Sequence, residues 1–361
     1  MSVHKILSSI FIYTAKAFLS VDEKTVPDHS VIKNVLIVRQ HNQFGDLLAS
    51  VSLFRAVKET FINCKLTVIT SPQNCYAVSK NKYIDEQFVF DKKKLFNPDY
   101  IYRLLNLLRG RYDLVIVPVT VAISDTSCFI GRFAHAGFRI GPGSLNGKIN
   151  EFSFLFHKSI DMNWDIKPER HVSDFGLDIV RPFGINTDNF KSEISFDKYD
   201  EKTAEEFLNS ISTGDNKLII GLHIGAGKPP NRWPVEKFIS LAELINENYN
   251  ADFYLTGSSS DENELNQFCS SSKLKCEIFL NKKIPEVAAL ISKSSLFITN
   301  DTGVMHVAGA TNTAQISLFG PTNPNNWAPI GVNKLFIKQS DSINEIAVKD
   351  VFNSVQKLLS K

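Results

Sequence analysis

A carboxylate follows a short hydrophobic segment near the start of the chain, in the sequence Arg39-Gln-His-Asn-Gln-Phe-Gly45-Asp46. Residues 34–39 have the composition of a buried strand, and Gly45 permits close backbone approach in the turn that leads into a helix. Asp is a favoured helix N-cap, and the residues alone favour that role for Asp46. The alternative is a general base, which requires an exposed carboxylate within hydrogen-bond reach of a substrate hydroxyl.

A glycine-rich loop in the second half reads Gly225-Ala-Gly-Lys228-Pro-Pro-Asn231-Arg232-Trp-Pro. Backbone amides at glycines bind phosphate, and the Arg232 guanidinium offers a planar bidentate fork. The P-loop pattern G-x-x-x-x-G-K-[ST] is absent from it. Loops of this composition are also common as solvated turns, so this segment alone does not establish a phosphate site.

The most informative segment is Asp301-Thr302-Gly303-Val-Met-His306-Val-Ala-Gly-Ala, which directly follows a hydrophobic strand pattern at 296–299. Free amides and the helix dipole at the Thr302–Gly303 helix start would attract a phosphate. Asp301 would repel a phosphate, so it fits a cap or a partner for sugar hydroxyls better. A single helical histidine such as His306 is usually packed or solvated. The next strand is followed by Gly-Pro-Thr-Asn-Pro at 320–324, a rigid loop that we expect to line the same pocket.

Strand and helix patterns alternate from residue 34 to the end, which predicts parallel sheets with crossover helices. The predicted strands are 34–39, 65–70, 87–90, 113–117, 138–140, 217–223, 252–256, 296–299 and 315–319. The predicted helices are 47–61, 98–108, 126–135, 168–180, 202–210, 234–247, 261–270, 285–292, 303–310 and 346–359. In such sheets ligands bind beyond the carboxyl ends of the strands, where the polar loops lie.

We therefore predict an α/β protein with two Rossmann-like domains whose parallel sheets face a central cleft. An amphipathic extension covers residues 1–33, and the first domain covers 34–190. A linker at 191–215 leads to the second domain at 216–361. For the last helix we also consider packing back on the first domain.

The composition narrows the class of protein. The chain has 361 residues, of which 43% are hydrophobic and 22% charged, enough apolar material for two cores. Its 40 basic and 38 acidic residues do not favour a nucleic-acid-binding protein. The five cysteines form no C-x-x-C pair, so we expect no disulfide framework or zinc site and a cytoplasmic location. No uncharged apolar run is long enough to span a membrane.

The first thirty residues carry apolar side chains at helical spacing. These are Val3, Ile6, Leu7, Ile10, Phe11, Thr14, Ala17, Phe18 and Val21. A signal peptide fits poorly, because Lys16 interrupts the apolar stretch and no small-x-small cleavage site follows. Two alternatives remain: a helix packed on the first domain, which we favour, and an amphipathic helix on the inner membrane surface.

These segments, in this order and spacing, resemble the lipopolysaccharide heptosyltransferases of glycosyltransferase family 9. The resemblance covers residues 34–355. Its most specific part is D-T-G-V-M-H-V-A-G-A followed by L-F-G-P-T-N-P, joined to F-G-D and to the G-A-G…R-W-P loop. The resemblance implies a GT-B fold and an inverting transfer of heptose from ADP-heptose to a lipopolysaccharide-core sugar.

The resemblance also implies roles for individual residues and reverses the assignment of Asp46, which matches the family's catalytic carboxylate. Thr302 and Gly303 match the helix start that binds the diphosphate, with Asp301 and His306 completing the motif around the donor. The other expected donor contacts are Gly45, Gly225, Lys228, Arg232, Gly257, Asp261 and Glu262. A lysine is frequent in the family where Asn231 stands here, and Lys228 is the candidate to replace it.

The acceptor is implied to be an anionic glycolipid core, bound by the first domain. Arginines suit phosphate or carboxylate groups through their fork geometry, and the candidates are Arg103, Arg109, Arg111, Arg132 and Arg139. The chain contains no D-x-D motif, so we expect no obligatory metal and no other cofactor.

Other functions remain open on the sequence. The chain could use another nucleotide sugar or a protein acceptor, or it could bind a nucleotide without catalysis, since fold does not fix function. A NAD-dependent dehydrogenase is disfavoured, because Gly225-Ala-Gly227 lacks the third glycine of G-x-G-x-x-G.

Overall fold

The computed structural model describes residues 3–40, 44–211 and 217–360. The chain divides into two compact units. The first comprises Met1–Cys75 and Lys82–Phe190, and the second comprises Tyr76–Asn81 and Lys191–Lys361. Each unit is built around its own predominantly parallel sheet, so the predicted α/β class is confirmed.

The sheet of the first unit has the strand order β3-β2-β1-β4-β5, with β6 and β7 both pairing β5. All pairs are parallel except β5 with β6. The strands are β1 (Asn34–Val38), β2 (Lys65–Thr70), β3 (Glu86–Val89), β4 (Tyr112–Ile116), β5 (Ala136–Leu145), β6 (Lys148–Ile149) and β7 (Lys158–Met162). Helices cover both faces of this sheet, so its central strands are nearly continuous apolar runs such as NVLIV.

The helices of the first unit are α1 (Val3–Leu19), α2 (Phe44–Ala49), α3 (Val51–Thr60), α4 (Pro98–Arg109), α5 (Asp125–Phe133) and α6 (Val172–Phe175). The single helix predicted at 47–61 is instead two, because the chain bends at Ser50, whose hydroxyl donates to the Asp46 carbonyl at 2.8 Å. The helix predicted at 168–180 shortens to α6. In the rest of this segment the chain forms a series of turns, and Asp174 and Asp178 form ion pairs with Arg170 and Arg181.

Helix α1 lies on the first unit through one face. Ala15 is buried, the Phe11 and Phe129 rings lie 5.9 Å apart, and Arg132 Nε donates to the Leu19 carbonyl at 2.6 Å. Other apolar side chains of the helix face away from this contact, and Phe18 is 81% exposed. The extension therefore packs on the domain, as we favoured, while keeping an exposed apolar surface.

The sheet of the second unit has the order β10-β9-β8-β11-β12-β13 and is parallel throughout. The strands are β8 (Leu218–His223), β9 (Ala251–Gly257), β10 (Cys276–Leu280), β11 (Leu296–Asn300), β12 (Ala314–Leu318) and β13 (Lys334–Ile337). The helices are α7 (Lys198–Ile211), α8 (Val235–Asn248), α9 (Glu262–Ser271), α10 (Ile284–Ser292), α11 (Gly303–Gly309), α12 (Pro324–Trp327) and α13 (Val348–Leu359).

Two segments at the edges of the predicted domains belong to this second unit. Much of the expected linker is helix α7, whose Phe207 packs against the rings of Tyr254 and Phe279. For α13 we considered packing back on the first domain. Its buried side chains, among them Val351 and Val355, belong instead to the core of the second unit, because its apolar face packs against α8 and the sheet.

Candidate functional site

The loops that carry the candidate residues of the first unit lie at the point where its strand order reverses. The chain runs outward from β1 to β2 and β3, then returns to place β4 on the other side of β1. Ligands of open parallel sheets bind beyond the carboxyl ends of the strands at such a switch point. Arg39 directly follows β1, and Asp46 lies in the first turn of α2. The topology therefore places both residues where a ligand is expected.

Arg39 and Asp46 form a buried ion pair. Arg39 Nη2 lies 3.6 Å from Asp46 Oδ2, and the two residues are 3% and 1% exposed. The same guanidinium donates to the hydroxyls of Ser50 at 3.2 Å and of Thr120 at 2.6 Å. Burial lowers the pKa of Arg39, and the charge of Asp46 opposes that shift. The hydrogen bond from Arg39 to Thr120 crosses the switch point, because Thr120 lies beyond the end of β4.

The burial of Asp46 bears on its expected role as a general base. The expected general base is an exposed carboxylate, whereas Asp46 lies under other atoms and is held by a cation. The ion pair favours the ionised form, which a base needs, and fixes the position of the carboxylate. Residues 41–43 of the same loop lie outside the described residues. Gly45 is half-buried within α2, directly before the carboxylate.

The structure gives three of the five candidate acceptor arginines other positions or partners. Arg139 is 7% exposed and donates to the carbonyls of Gly131, Ala134 and Ala136, so it closes the end of α5. Burial lowers the pKa of Arg139 to about 10, and the charge of Arg132 adds to that shift. Arg132 holds the end of α1.

Arg103 lines a cavity at the amino ends of the strands, the edge of the sheet opposite to Asp46. The sequence could not distinguish these positions, because the destination of each guanidinium is set by packing. We therefore leave Arg103, Arg132 and Arg139 out of the acceptor site.

In the second unit the strand order reverses between β8 and β11, and the two glycine-containing loops follow these strands. Asn300 joins the loops: its Nδ2 donates to the Ile224 carbonyl at 2.8 Å, and its Oδ1 accepts from the Trp233 amide at 3.1 Å. Asn300 was not among the residues predicted from the sequence. Its position as the last residue of β11 was the available signal, since polar residues at strand ends often organise switch-point loops.

Asn231, which stands where the family often has lysine, contacts Asp301. Its Nδ2 lies 3.0 Å from Asp301 Oδ2 and donates a hydrogen bond to it. Burial raises the pKa of Asp301, although a hydrogen bond from Thr322 and the charge of Lys228 oppose that shift. An amide thus binds the carboxylate here without adding a positive charge.

The cations of this loop differ in their surroundings. Arg232 forms an ion pair with Glu264 and donates to the Ala226 carbonyl at 2.7 Å. Lys228 is exposed, and its side chain makes no hydrogen bond or ion pair with any described residue. Lys228 is therefore the cation best placed to meet an incoming anion, whereas the Arg232 charge is already balanced by Glu264.

The helix start at Thr302 and Gly303 has the expected geometry. Thr302 is the N-cap of α11 and accepts a hydrogen bond from the Val304 amide at 3.1 Å, and Gly303 is exposed. His306 is half-buried, with its ring 6.3 Å from that of Trp327. The exposed glycine leaves the first turn of α11 open to solvent.

The remaining predicted donor contacts divide into structural and exposed residues. Asp261 is buried and accepts from the amide and hydroxyl of Ser258 at 2.9 and 2.8 Å, which is a capping role. A Cβ on Gly225 would lie 2.2 Å from Asp261 Oδ1, and one on Gly257 would lie 2.7 Å from Leu265 Cδ1, so both glycines are required by packing. Glu262 is exposed. Both capping bonds end on Asp261 Oδ2.

Two further observations concern the described residues as a whole. No group of three or more His, Cys, Asp or Glu side chains among them is arranged to hold a metal ion. Within the same ranges, no helix combines the length and apolar character that crossing a membrane requires.

Two doubly wound α/β units with polar switch-point loops define the GT-B class of fold. The sequence model of glycosyltransferase family 9 (heptosyltransferase) matches residues 101–353. The chain therefore belongs to glycosyltransferase family 9, and it is a glycosyltransferase.

Its relatives include heptosyltransferases from several bacteria. The chain is 30% identical to lipopolysaccharide heptosyltransferase 2 of Escherichia coli K12, covering 79% of this chain and 82% of the relative. It is 27% identical to lipooligosaccharide heptosyltransferase 2 of Haemophilus influenzae, covering 84% and 88%. A family 9 glycosyltransferase from Veillonella parvula has the same fold, with a TM-score of 0.80 at 20% identity over 93% of this chain and 99% of that one.

Proposed function

We propose that this enzyme transfers a heptose from ADP-heptose to a sugar of a lipopolysaccharide core, with inversion at the anomeric carbon and with Asp46 as the general base. The observation that carries the proposal is the Arg39–Asp46 pair at the switch point of the first sheet, in a chain of the heptosyltransferase family. Relatives named lipopolysaccharide heptosyltransferase support the donor sugar and the acceptor class. No cofactor takes part in this proposal.

In the proposed reaction Asp46 takes the proton of the acceptor hydroxyl as the hydroxyl oxygen attacks the anomeric carbon. The bond from that carbon to the diphosphate oxygen breaks on the opposite face, and ADP leaves with the bonding electron pair. General-base assistance of this kind contributes about 10²–10⁴ in rate. Because Asp46 is 1% exposed, the atoms that cover it must move aside when the acceptor binds.

On the donor side we assign Lys228 to the leaving diphosphate, together with the amides at the start of α11. Lys228 is exposed and has no ion pair within the described ranges, whereas Arg232 is bound to Glu264. A cation beside the leaving diphosphate stabilises the charge that develops there in the transition state more than charge in the ground state. Lys228→Ala should therefore lower kcat more than it raises KM, and Lys282→Ala, at an exposed lysine elsewhere in the unit, should change neither.

The test of the transfer itself is an assay of the purified chain with ADP-heptose, UDP-sugars and GDP-sugars on heptose-deficient core oligosaccharide. We expect product with ADP-heptose alone, and nuclear magnetic resonance of the new linkage should show the anomeric configuration opposite to that of the donor. Retention of configuration would exclude the mechanism, and turnover with a UDP- or GDP-sugar would exclude the proposed donor.

We also propose that the protein works at the cytoplasmic face of the inner membrane, held there by α1. Leu7, Ile10, Phe11 and Phe18 form an exposed apolar stripe beside Phe133, and α1 contains no acidic residue. Apolar helix faces with aromatic residues insert into the headgroup boundary. Phe18→Ser should reduce flotation with anionic liposomes, whereas Phe96→Ser, at an exposed aromatic outside the stripe, should not. Equal flotation of both variants and the original chain would contradict this placement.

A further inference from the structure

The first unit contains a cavity far from its switch point. The cavity has a volume of about 450 Å³ and lies where β1, β2, β3 and β4 begin. The first residue of each of these strands lines it: Asn34, Lys65, Glu86 and Tyr112. Asp46 follows the carboxyl end of β1, so the two sites lie at opposite edges of the sheet. Five strand residues at about 3.3 Å each separate these edges by roughly 15 Å.

The charges around this cavity leave an excess of cations. Lys65 and Glu86 pair with each other at 2.6 Å. Arg103 on α4 and Arg111 just before β4 also line the cavity, and neither side chain forms a hydrogen bond or ion pair within the parts of the chain that the structure describes. Two guanidinium groups from neighbouring segments thus border one concave space and lack anionic partners.

The lining of the cavity is mainly polar, with a few apolar and aromatic side chains between these arginines. Phe88 and Leu107 are buried there, and the ring of Tyr112 borders the cavity. The Tyr112 hydroxyl donates to the Leu107 carbonyl at 3.1 Å. Burial raises the pKa of this hydroxyl to about 12, with the Glu86 charge adding to the shift, so it stays a neutral donor. Asn106 adds an amide at the rim.

We propose that this cavity binds a small phosphomonoester, with Arg103 and Arg111 holding the phosphate and the Phe88–Tyr112 wall contacting the organic part. Guanidinium groups match phosphate oxygens through paired N–H donors. Sites for small molecules combine apolar walls with a few convergent polar groups, and their volumes run from about 300 to 1,000 Å³. The site is independent of the proposed transfer, because none of its residues lies at a switch point.

The test is hydrogen–deuterium exchange of the whole chain titrated with inorganic phosphate and with glycerol 3-phosphate at constant ionic strength. We expect saturable protection of peptides that contain residues 98–112, with glycerol 3-phosphate binding more tightly than phosphate. Arg103→Gln and Arg111→Gln should each weaken this binding at least about tenfold, since each removes charge-assisted hydrogen bonds. The matched control is Arg109→Gln, which removes an exposed arginine of the same helix outside the cavity.

The outcomes separate this site from the rest of the molecule. Unchanged binding in Asp46→Asn and unchanged transferase activity in Arg103→Gln would agree with an independent site. A parallel titration with phosphatidic acid vesicles identifies the source: protection by these vesicles alone means a lipid headgroup, and protection by glycerol 3-phosphate means a soluble ester. Equal weakening by Arg109→Gln, or protection that does not saturate with any of the three probes, would overturn the proposal.

Discussion

Replacing Arg39 by methionine removes the cation of the buried pair while keeping most of the side-chain volume. The buried Asp46 carboxylate then loses the Arg39 cation, and the hydroxyls of Ser50 and Thr120 lose a donor. Removing one partner of a buried pair costs about 3–5 kcal/mol. We expect a value near the lower end, about 3 kcal/mol, because 3.6 Å exceeds hydrogen-bond contact.

The assay is thermal unfolding of the first unit, followed at several pH values. A loss of about 3 kcal/mol corresponds to roughly 6–12 °C for a unit of this size. Without Arg39 the ionised form of the buried Asp46 is less stable in the folded state than in the unfolded state. As the pH rises, the Asp46 proton is therefore released more readily by the unfolded state, which lowers the free energy of unfolding. The destabilisation should therefore be smaller at pH 5 than at pH 8.

A double-mutant cycle shows whether the pair itself is responsible. Asp46→Asn removes the negative charge that the Arg39 guanidinium faces, so it should cost less in the Arg39→Met background than alone, and the double variant should be more stable than the sum of the two single losses predicts. Coupling of about 2 kcal/mol would agree with the structure. Additivity within about 0.5 kcal/mol is typical of distant independent sites, so it would show that Arg39 and Asp46 do not interact energetically. A destabilisation that does not change with pH would show the same.

Three further changes test other parts of the structure. Gly225→Ala should destabilise the second unit and weaken ADP binding in calorimetry, because the new Cβ would lie 2.2 Å from Asp261 Oδ1. Gly227→Ala is the control and should match the original chain, because no atom lies within 4 Å of its Cβ. Equal effects of the two substitutions would count against this packing. Burial, with the charge of Arg139 adding to it, lowers the pKa of His157 to about 4, below its ordinary value of 6.5. As the pH falls, the unfolded state therefore binds the His157 proton before the folded state does, and the free energy of unfolding decreases. His157→Gln should make this decrease between pH 6.5 and 4 smaller, and an unchanged dependence of the unfolding free energy on pH would contradict this. Arg132→Ala should speed proteolysis of α1, because it removes the hydrogen bond to the Leu19 carbonyl; unchanged cleavage would show that the aromatic contacts suffice.

The sequence predicted the strands at the centre of each sheet well, because strands buried on both faces are continuous apolar runs. β1, β4 and β11 begin and end within one or two residues of their predicted limits. β5 was predicted too short, since Gly141, Pro142 and Gly143 conceal its extension. A Cβ on Gly141 would lie 2.3 Å from the Phe156 ring, so this glycine serves the packing of a strand rather than a turn.

The candidate site was predictable only as far as chain order determines it. Residues that follow β1, β8 and β11 must lie at the carboxyl edge of their sheets, so Asp46, Lys228 and Thr302 could be singled out. Their partners could not, because contacts such as Arg39 with Thr120 join residues far apart in the chain. The capping role of Asp261 was open to prediction, since Ser258-Ser-Ser-Asp261 has a serine followed three residues later by a carboxylate.

Whether Asp46 acts as the general base is decided by kcat of Asp46→Asn with ADP-heptose and core acceptor, measured alongside the unfolding midpoint of the variant and its affinity for ADP. We expect a fall in kcat of about 10²–10⁴ with ADP affinity unchanged, because the asparagine amide cannot accept the acceptor proton. A folded Asp46→Asn variant with kcat close to that of the original chain would contradict it.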